Sequence, residues 1–164
     1  MASFRTAPLV LPRTGAARLT IVDASVAVKW AIPLAREPLT AQALQLLKHY
    51  VDGAIEFLVP DVFWAEVGNV LWKGTRQRRW QRHEAEAVVA DMKARDFATV
   101  SSLLLLPEAL RIAFAYDRSV YDCLYVALAI ESKSEMITAD ERLANALAAH
   151  LPVKWLGSLG GFHS

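Results

Sequence analysis

Ser119-Val-Tyr-Asp-Cys-Leu-Tyr-Val-Ala-Leu-Ala-Ile130 is the stretch on which the fold turns. From Leu124 to Ile130 every residue is apolar or aromatic. A helix apolar all round is buried on every side, so this stretch predicts the central helix of a layered core. Asp122 stands in its first turn, three residues after Ser119. That carboxylate has two readings. In one, Ser119-x-x-Asp122 is a capping arrangement at a helix N-terminus. In the other, Asp122 faces a site that needs negative charge at the mouth of a core helix. The positions of the other acids bear on the choice.

Working outward, short β-rich runs predict strands over 19–22, 55–59, 100–106, 135–138 and 153–156. Helical spacing predicts helices over 26–32, 39–51, 61–73, 84–97, 108–116 and 141–150, with Asp61 a candidate N-cap. Pro60 and Pro107 are read as strand terminators. Strands that alternate with helices predict an α/β fold: a central, mostly parallel sheet of four or five short strands flanked by helices. One domain over 19–156 is expected, with an N-terminal extension over 1–18 and a tail over 157–164. The extension holds three Arg, two Pro and no acid.

The 164 residues are 54% hydrophobic and 21% charged, which fits a globular chain large enough for a real core. Cys123 is the lone cysteine, so no internal disulfide forms, and a reducing, cytoplasmic setting is expected. The four His residues show no metal-ligand spacing. No apolar run approaches the roughly 18 residues of a membrane span. The net charge of +1 hides a local asymmetry. Lys73, Arg76, Arg78, Arg79 and Arg82 form a basic run without an acid. It reads as a solvated connection between helices or as a surface for a polyanion.

Four acids stand out by position. Asp23 and Asp140 directly follow predicted strands, where open parallel sheets gather ligands. Each also has a capping reading, and Thr138-x-x-Glu141 matches a capping box. Glu66 resists that explanation: it lies on a mostly apolar helical stripe with Val62, Phe63, Asn69 and Val70. Burying an unpaired charge is expensive, so Glu66 tips to solvent, pairs with an Arg or serves a site. If the sheet is parallel, Asp23, Glu66, Asp122 and Asp140 share one edge. Converging carboxylates repel, and a hard divalent cation such as Mg²⁺ or Mn²⁺ relieves them. An ion so held suits phosphoryl chemistry, with the basic run gripping a nucleic-acid backbone.

Ile21-Val-Asp-Ala-Ser25, Glu66 with Asn69, Tyr121-Asp-Cys-Leu-Tyr-Val-Ala-Leu-Ala129 and Ile137-Thr-Ala-Asp-Glu-Arg-Leu143 together resemble a PIN domain of the VapC toxin family. The resemblance spans about 19–156; the first eighteen residues depart from it. It implies a PIN-like three-layer fold and a metal-dependent endoribonuclease, the toxin of a type II toxin-antitoxin system. Its acids map onto Asp23, Glu66, Asp122 and Asp140, with Ser25, Asn69 and Thr138 as polar neighbours that orient waters or ligands. It also implies an RNA substrate, a cognate VapB-like antitoxin in the active-site groove, and homodimers.

Two other functions compete. A phosphatase with Asp23 as nucleophile would want a second acid two residues on, where Ser25 stands. A module that binds RNA or a partner without turnover would use the basic run alone, but then the acids would repel RNA.

Overall fold

The computed structural model describes residues 15, 17–31 and 37–159. Residues 1–14 and 16 of the expected extension, and 160–164 of the expected tail, lie outside the described residues. Along the chain run β1 (Arg18–Val22), α1 (Ala24–Ala31), α2 (Thr40–Val51), β2 (Ile55–Pro60), α3 (Val62–Arg76), α4 (Arg82–Ala94) and β3 (Ala98–Val100). Then follow α5 (Ser102–Tyr116), α6 (Val120–Glu131), β4 (Glu135–Thr138), α7 (Glu141–Leu147) and β5 (Val153–Trp155). A short 3₁₀ turn, Leu156–Ser158, comes next, and Leu159 packs back onto the core.

The sheet is parallel throughout, in the order β3-β2-β1-β4-β5. From β1 the chain steps outward through β2 to β3, then returns to lay β4 on the other side of β1. Strand order therefore reverses between β1 and β4, and in such sheets a crevice opens there beyond the carboxyl ends of the strands.

The stretch that opened the reading is α6. Every residue from Cys123 to Ala129 is buried, and the helix lies against β1, β2 and β4. Seven consecutive buried positions leave no polar face, as a wholly apolar sequence requires. Elsewhere Trp30 of α1 and Tyr50 of α2 stack on Phe57 of β2, with ring centroids 5.1 and 4.8 Å apart.

One predicted strand is corrected. The run 100–106 is not a strand: β3 ends at Val100 and α5 begins at Ser102. The Ser101 hydroxyl accepts from the Leu103 N–H at 3.3 Å and caps the helix. Leu105, Ala109 and Ile112 are buried at helical spacing, while Leu103 is 76% exposed. A continuous leucine run fits either period, so burial decides it. Pro107 lies inside α5, near its start, and its missing N–H forfeits one bond of the ladder. Asp61 also departs from its expected role. Its carboxylate caps nothing on α3; it accepts from the N–H and hydroxyl of Ser102, tying the start of α3 to the start of α5.

Candidate active site

Asp23 directly follows β1, and its surroundings come from the strand next door. Val22 lies opposite Ile137 in the register of β1 with β4. The Asp23 N–H donates to the Ile137 carbonyl at 3.1 Å. Thr138, the last residue of β4, is thereby set beside the Asp23 carboxylate, and its hydroxyl donates to Oδ2 at 2.7 Å. The Ser25 hydroxyl donates to the same oxygen at 2.9 Å, and the Ser25 N–H approaches Oδ1 at 3.4 Å. Both hydroxyls are themselves oriented. Ser25 Oγ accepts from the Ala139 N–H at 3.1 Å, and Thr138 Oγ1 from the Asp140 N–H at 3.0 Å. With their acceptor sides used by backbone amides, both protons point at Asp23. Burial pushes the Asp23 carboxyl above its ordinary pKa; the Thr138 and Ser25 hydrogen bonds oppose the rise, and the charge of Asp122 adds to it.

Glu66 sits midway along α3, partly buried. It tips neither to solvent nor to an arginine: the Tyr125 hydroxyl, from α6, donates to its Oε2. Burial raises the Glu66 pKa, the Tyr125 bond lowers it, and the charges of Asp23 and Asp122 raise it again. Tyr125 is 1% exposed. Its phenol is pushed far up, first by burial and then by the charge of Asp23, so it remains a proton donor. The sequence reading quoted Tyr125 within a motif but gave it no role. The signal was present, since a phenol in an otherwise apolar buried helix needs a partner for its hydroxyl.

The capping reading of Asp122 is the one observed. Ser119 is the N-cap of α6: its Oγ accepts from the Asp122 N–H at 3.1 Å and donates to Asp122 Oδ2 at 2.7 Å. Asp23 and Glu66 both feel the Asp122 charge.

Asp140 is different. It is the N-cap of α7, and its Oδ1 accepts from the N–H groups of Arg142 at 2.9 Å and Leu143 at 3.1 Å. The side chain is exposed and is not among the charges that raise Asp23 or Glu66. Asp140, not Thr138, caps that helix, so the expected Thr138-x-x-Glu141 box does not form. The expected meeting of four acids is thus three in mutual charge range and one occupied with a helix end. Among the described residues no three acidic, His or Cys side chains stand close enough to share one ion directly. Asp23 is instead drawn to the hydroxyls of Thr138 and Ser25, Glu66 to that of Tyr125 and Asp122 to that of Ser119.

The donors still suit a hard cation. They are all oxygens, partly buried and mutually repelling, and among the described residues their hydrogen-bond partners are hydroxyls and an amide, with no lysine or arginine among them. Mg²⁺ takes one or two carboxylates directly and keeps several waters, so it does not need three acids closed on a point. Asn69 lies exposed on α3, three residues after Glu66.

The basic run divides. Lys73 and Arg76 lie in the last turn of α3, and the Arg76 guanidinium is 5.2 Å from the centroid of the exposed Trp72 ring. Arg78 is exposed in a left-handed turn, φ 58°. Arg79 pairs with Glu37 and Arg82 with Glu86. Lys29, one turn beyond Ser25 on α1, was missed in the sequence; it shares a cleft with Ser25 and Arg79.

The PIN domain pattern matches residues 20–147, a span that holds all four acids. This chain belongs to the PIN-domain family. A curated relative, ribonuclease VapC3 of Pyrobaculum aerophilum, is 29% identical over 136 residues, 79% of this chain and 95% of that protein. The crystal structure of PAE2754 from Pyrobaculum aerophilum superposes with a TM-score of 0.65 at 23% identity, over 94% of each chain. VapBC2 from Rickettsia felis, bound to a promoter DNA fragment, superposes with a TM-score of 0.59 at 9% identity, over 84% of this chain and 98% of that one. Those two likenesses show the fold. The fold expected from the sequence is therefore the one observed, a PIN domain with a five-stranded parallel sheet flanked by helices. Among its described residues no helix is long and apolar enough to cross a membrane.

Proposed function

We propose that this PIN domain is a divalent-metal-dependent endoribonuclease, the toxin of a toxin-antitoxin pair. The observation that supports the reading is Asp23 at the carboxyl end of β1, held by the Thr138 and Ser25 hydroxyls and within charge range of Glu66 and Asp122, which Tyr125 and Ser119 hold in turn. Asp23, Glu66 and Asp122 would hold Mg²⁺ or Mn²⁺, directly or through its waters. When bound, such an ion polarises a phosphate oxygen and makes water a stronger nucleophile at neutral pH.

The chain's own residues set the stage for that chemistry. Ser25 and Thr138 fix the Asp23 carboxylate, Ser119 fixes Asp122 and Tyr125 fixes Glu66, which is how outer hydrogen bonds tune a metal site. Asp140, exposed at the rim, and Asn69 are assigned to waters or substrate at the edge of the site. Lys73, Arg76 and Arg78, which form no ion pair among the described residues, contact RNA phosphates and contribute affinity without sequence choice; Arg79 and Arg82 add to that surface once their carboxylates yield. A VapB-like antitoxin and a homodimer complete the proposal. The antitoxin is supported by the Rickettsia felis VapBC2 and by a toxin-antitoxin complex from Klebsiella pneumoniae that shares the fold, TM-score 0.56.

The test is to incubate purified protein with total RNA, with Mg²⁺ or EDTA, and map the new ends. Wild type should cut only with the metal, and Asp122→Ala should cut nowhere while keeping its circular dichroism. Ends that appear equally with Asp122→Ala refute the reading.

A further inference from the structure

A cleft adjoins the acidic site at Ser25, and of its walls the reading above uses only Ser25 and Arg79. It holds about 410 Å³ and runs between α1 and α3, with Ser25, Lys29, Glu37, Arg79 and Trp80 on its walls. Ser25 is shared with the acidic site, and Lys29 stands one helical turn further along the same face of α1. The cleft and the acidic site therefore meet at Ser25.

Its cations are built in. The Arg79 guanidinium lies 5.0 Å from the centroid of the Trp80 ring. Trp80 is 5% exposed, and its indole N–H donates to the Leu71 carbonyl at 2.9 Å. The ring fills a notch at Gly74, where a Cβ would come within 1.9 Å of it. Glycine at 74 seats the tryptophan, and the tryptophan seats the arginine. Lys29 has a side chain only 18% exposed. Burial, and then the neighbouring positive charge of Arg79, lower its pKa.

One carboxylate serves both cations. Glu37 accepts from Arg79 through Oε1, and its Oε2 lies 3.7 Å from Lys29 Nζ. The Glu37 carbonyl accepts from the Thr40 hydroxyl at 3.0 Å, which anchors it ahead of α2. One negative charge facing two positive ones leaves an excess of one. Two oxygens spread over a lysine and a fixed guanidinium is also how a phosphodiester is gripped.

We propose that Lys29 and Arg79 form a subsite for a backbone phosphate of single-stranded nucleic acid next to the scissile bond, and that Glu37 is a built-in competitor which that phosphate displaces. The proposal deepens the nuclease reading and rests on it for the identity of the strand. Glu37 then holds the free protein in a weakly binding state, and incoming RNA exchanges one anion for another at the same two cations.

The probe is a 12-nucleotide single-stranded RNA, titrated by fluorescence anisotropy against the full chain in EDTA, so that no cleavage intervenes. Glu37→Gln should tighten binding about threefold to tenfold, because the competing charge is gone. Lys29→Gln should weaken it by a similar factor and reduce the slope of log K against log[salt] by about 0.7. Arg79→Gln is the second variant should Lys29→Gln unfold, and thermal melts of all three report folding. Binding and salt slope unchanged in both cation variants overturn the subsite, as does wild type that fails to bind the RNA. Weaker binding by Glu37→Gln overturns the competitor role. The nuclease reading fails separately: wild type that binds with these responses yet cuts no RNA with Mg²⁺ keeps the subsite and loses the enzyme.

Discussion

Asp23 and Asp140 stand in matching places with opposite surroundings. Each closely follows one of two adjacent parallel strands, β1 and β4, at the same edge of the sheet. Asp23 turns inward, where Thr138 and Ser25 hydroxyls hold it and burial raises its pKa. Asp140 turns outward and spends Oδ1 on two backbone amides of α7. Each stands directly ahead of a helix, α1 or α7, so what separates them is which donors their side-chain oxygens meet. Next to Asp140, free amides of a new helix offer the nearest partners, and a helix N-terminus prefers a carboxylate. Next to Asp23, among the described residues, the Ser25 amide alone approaches its side chain, at 3.4 Å. Its carboxylate is left to hydroxyls, which a cation's waters can share. Position after a strand nominates an acid for a site; the local competition for its oxygens decides what it does there.

The comparison can be broken most directly by removing each charge in turn. Asp23→Asn should lower RNA cleavage by about 10²-fold to 10³-fold or more, the scale of losing a central electrostatic group, with the circular dichroism spectrum kept. Equal loss from Asp140→Asn would erase the distinction. Thr138→Val comes next: it leaves both acids and removes one hydroxyl from Asp23, so cleavage should fall about 10-fold to 100-fold, the usual effect of an outer-shell partner. A Thr138→Ser protein should recover most of it.

Asp140→Ala sharpens the other side. Loss of a helix cap costs about 1 kcal/mol, or about 2–4 °C in Tm for a chain of this size, measurable by calorimetry even if cleavage falls only modestly. The smallest effect is in pH. Asp23 and Glu66 hold their protons more tightly when folded than unfolded. Between the ordinary values of 3.8 and 4.5 and the raised ones, the folded chain binds more protons. Their stabilising contribution is complete below the ordinary values and is lost as pH rises through the raised ones. In EDTA, Tm should therefore decline with rising pH across that window. Asp23→Asn should flatten the decline, and Mg²⁺ should offset it by binding the charged form. A steeper decline in Asp23→Asn would reverse the assignment.

Much of this was legible in one dimension. The parallel sheet follows from short apolar runs alternating with helices, and α6 announced itself by having no polar face. The leucine run before Pro107 was misread because four consecutive leucines satisfy a strand and a helix equally, and only the burial of Leu105, Ala109 and Ile112 separates them. The sequence nominates four acids, and the fold brings three of them, Asp23, Glu66 and Asp122, into charge range of one another; what each does was not readable, because hydrogen-bond competition depends on which donors the fold brings near. Thr138 reaches Asp23 across 115 positions. The bridge from Glu37 to Lys29 and Arg79 depends on the chain's path around the end of α3, which no periodicity encodes.

That 115-residue span has a consequence for synthesis. β1 is made early, but β4 pairs with it only after nearly the whole chain exists, and contacts so distant in sequence form late. A growing polypeptide still short of Glu135 carries Asp23 without its Thr138 donor and without the strand that aligns it. The surroundings of Asp23 are thus a property of the finished sheet, and a copy that stops before that strand lacks them.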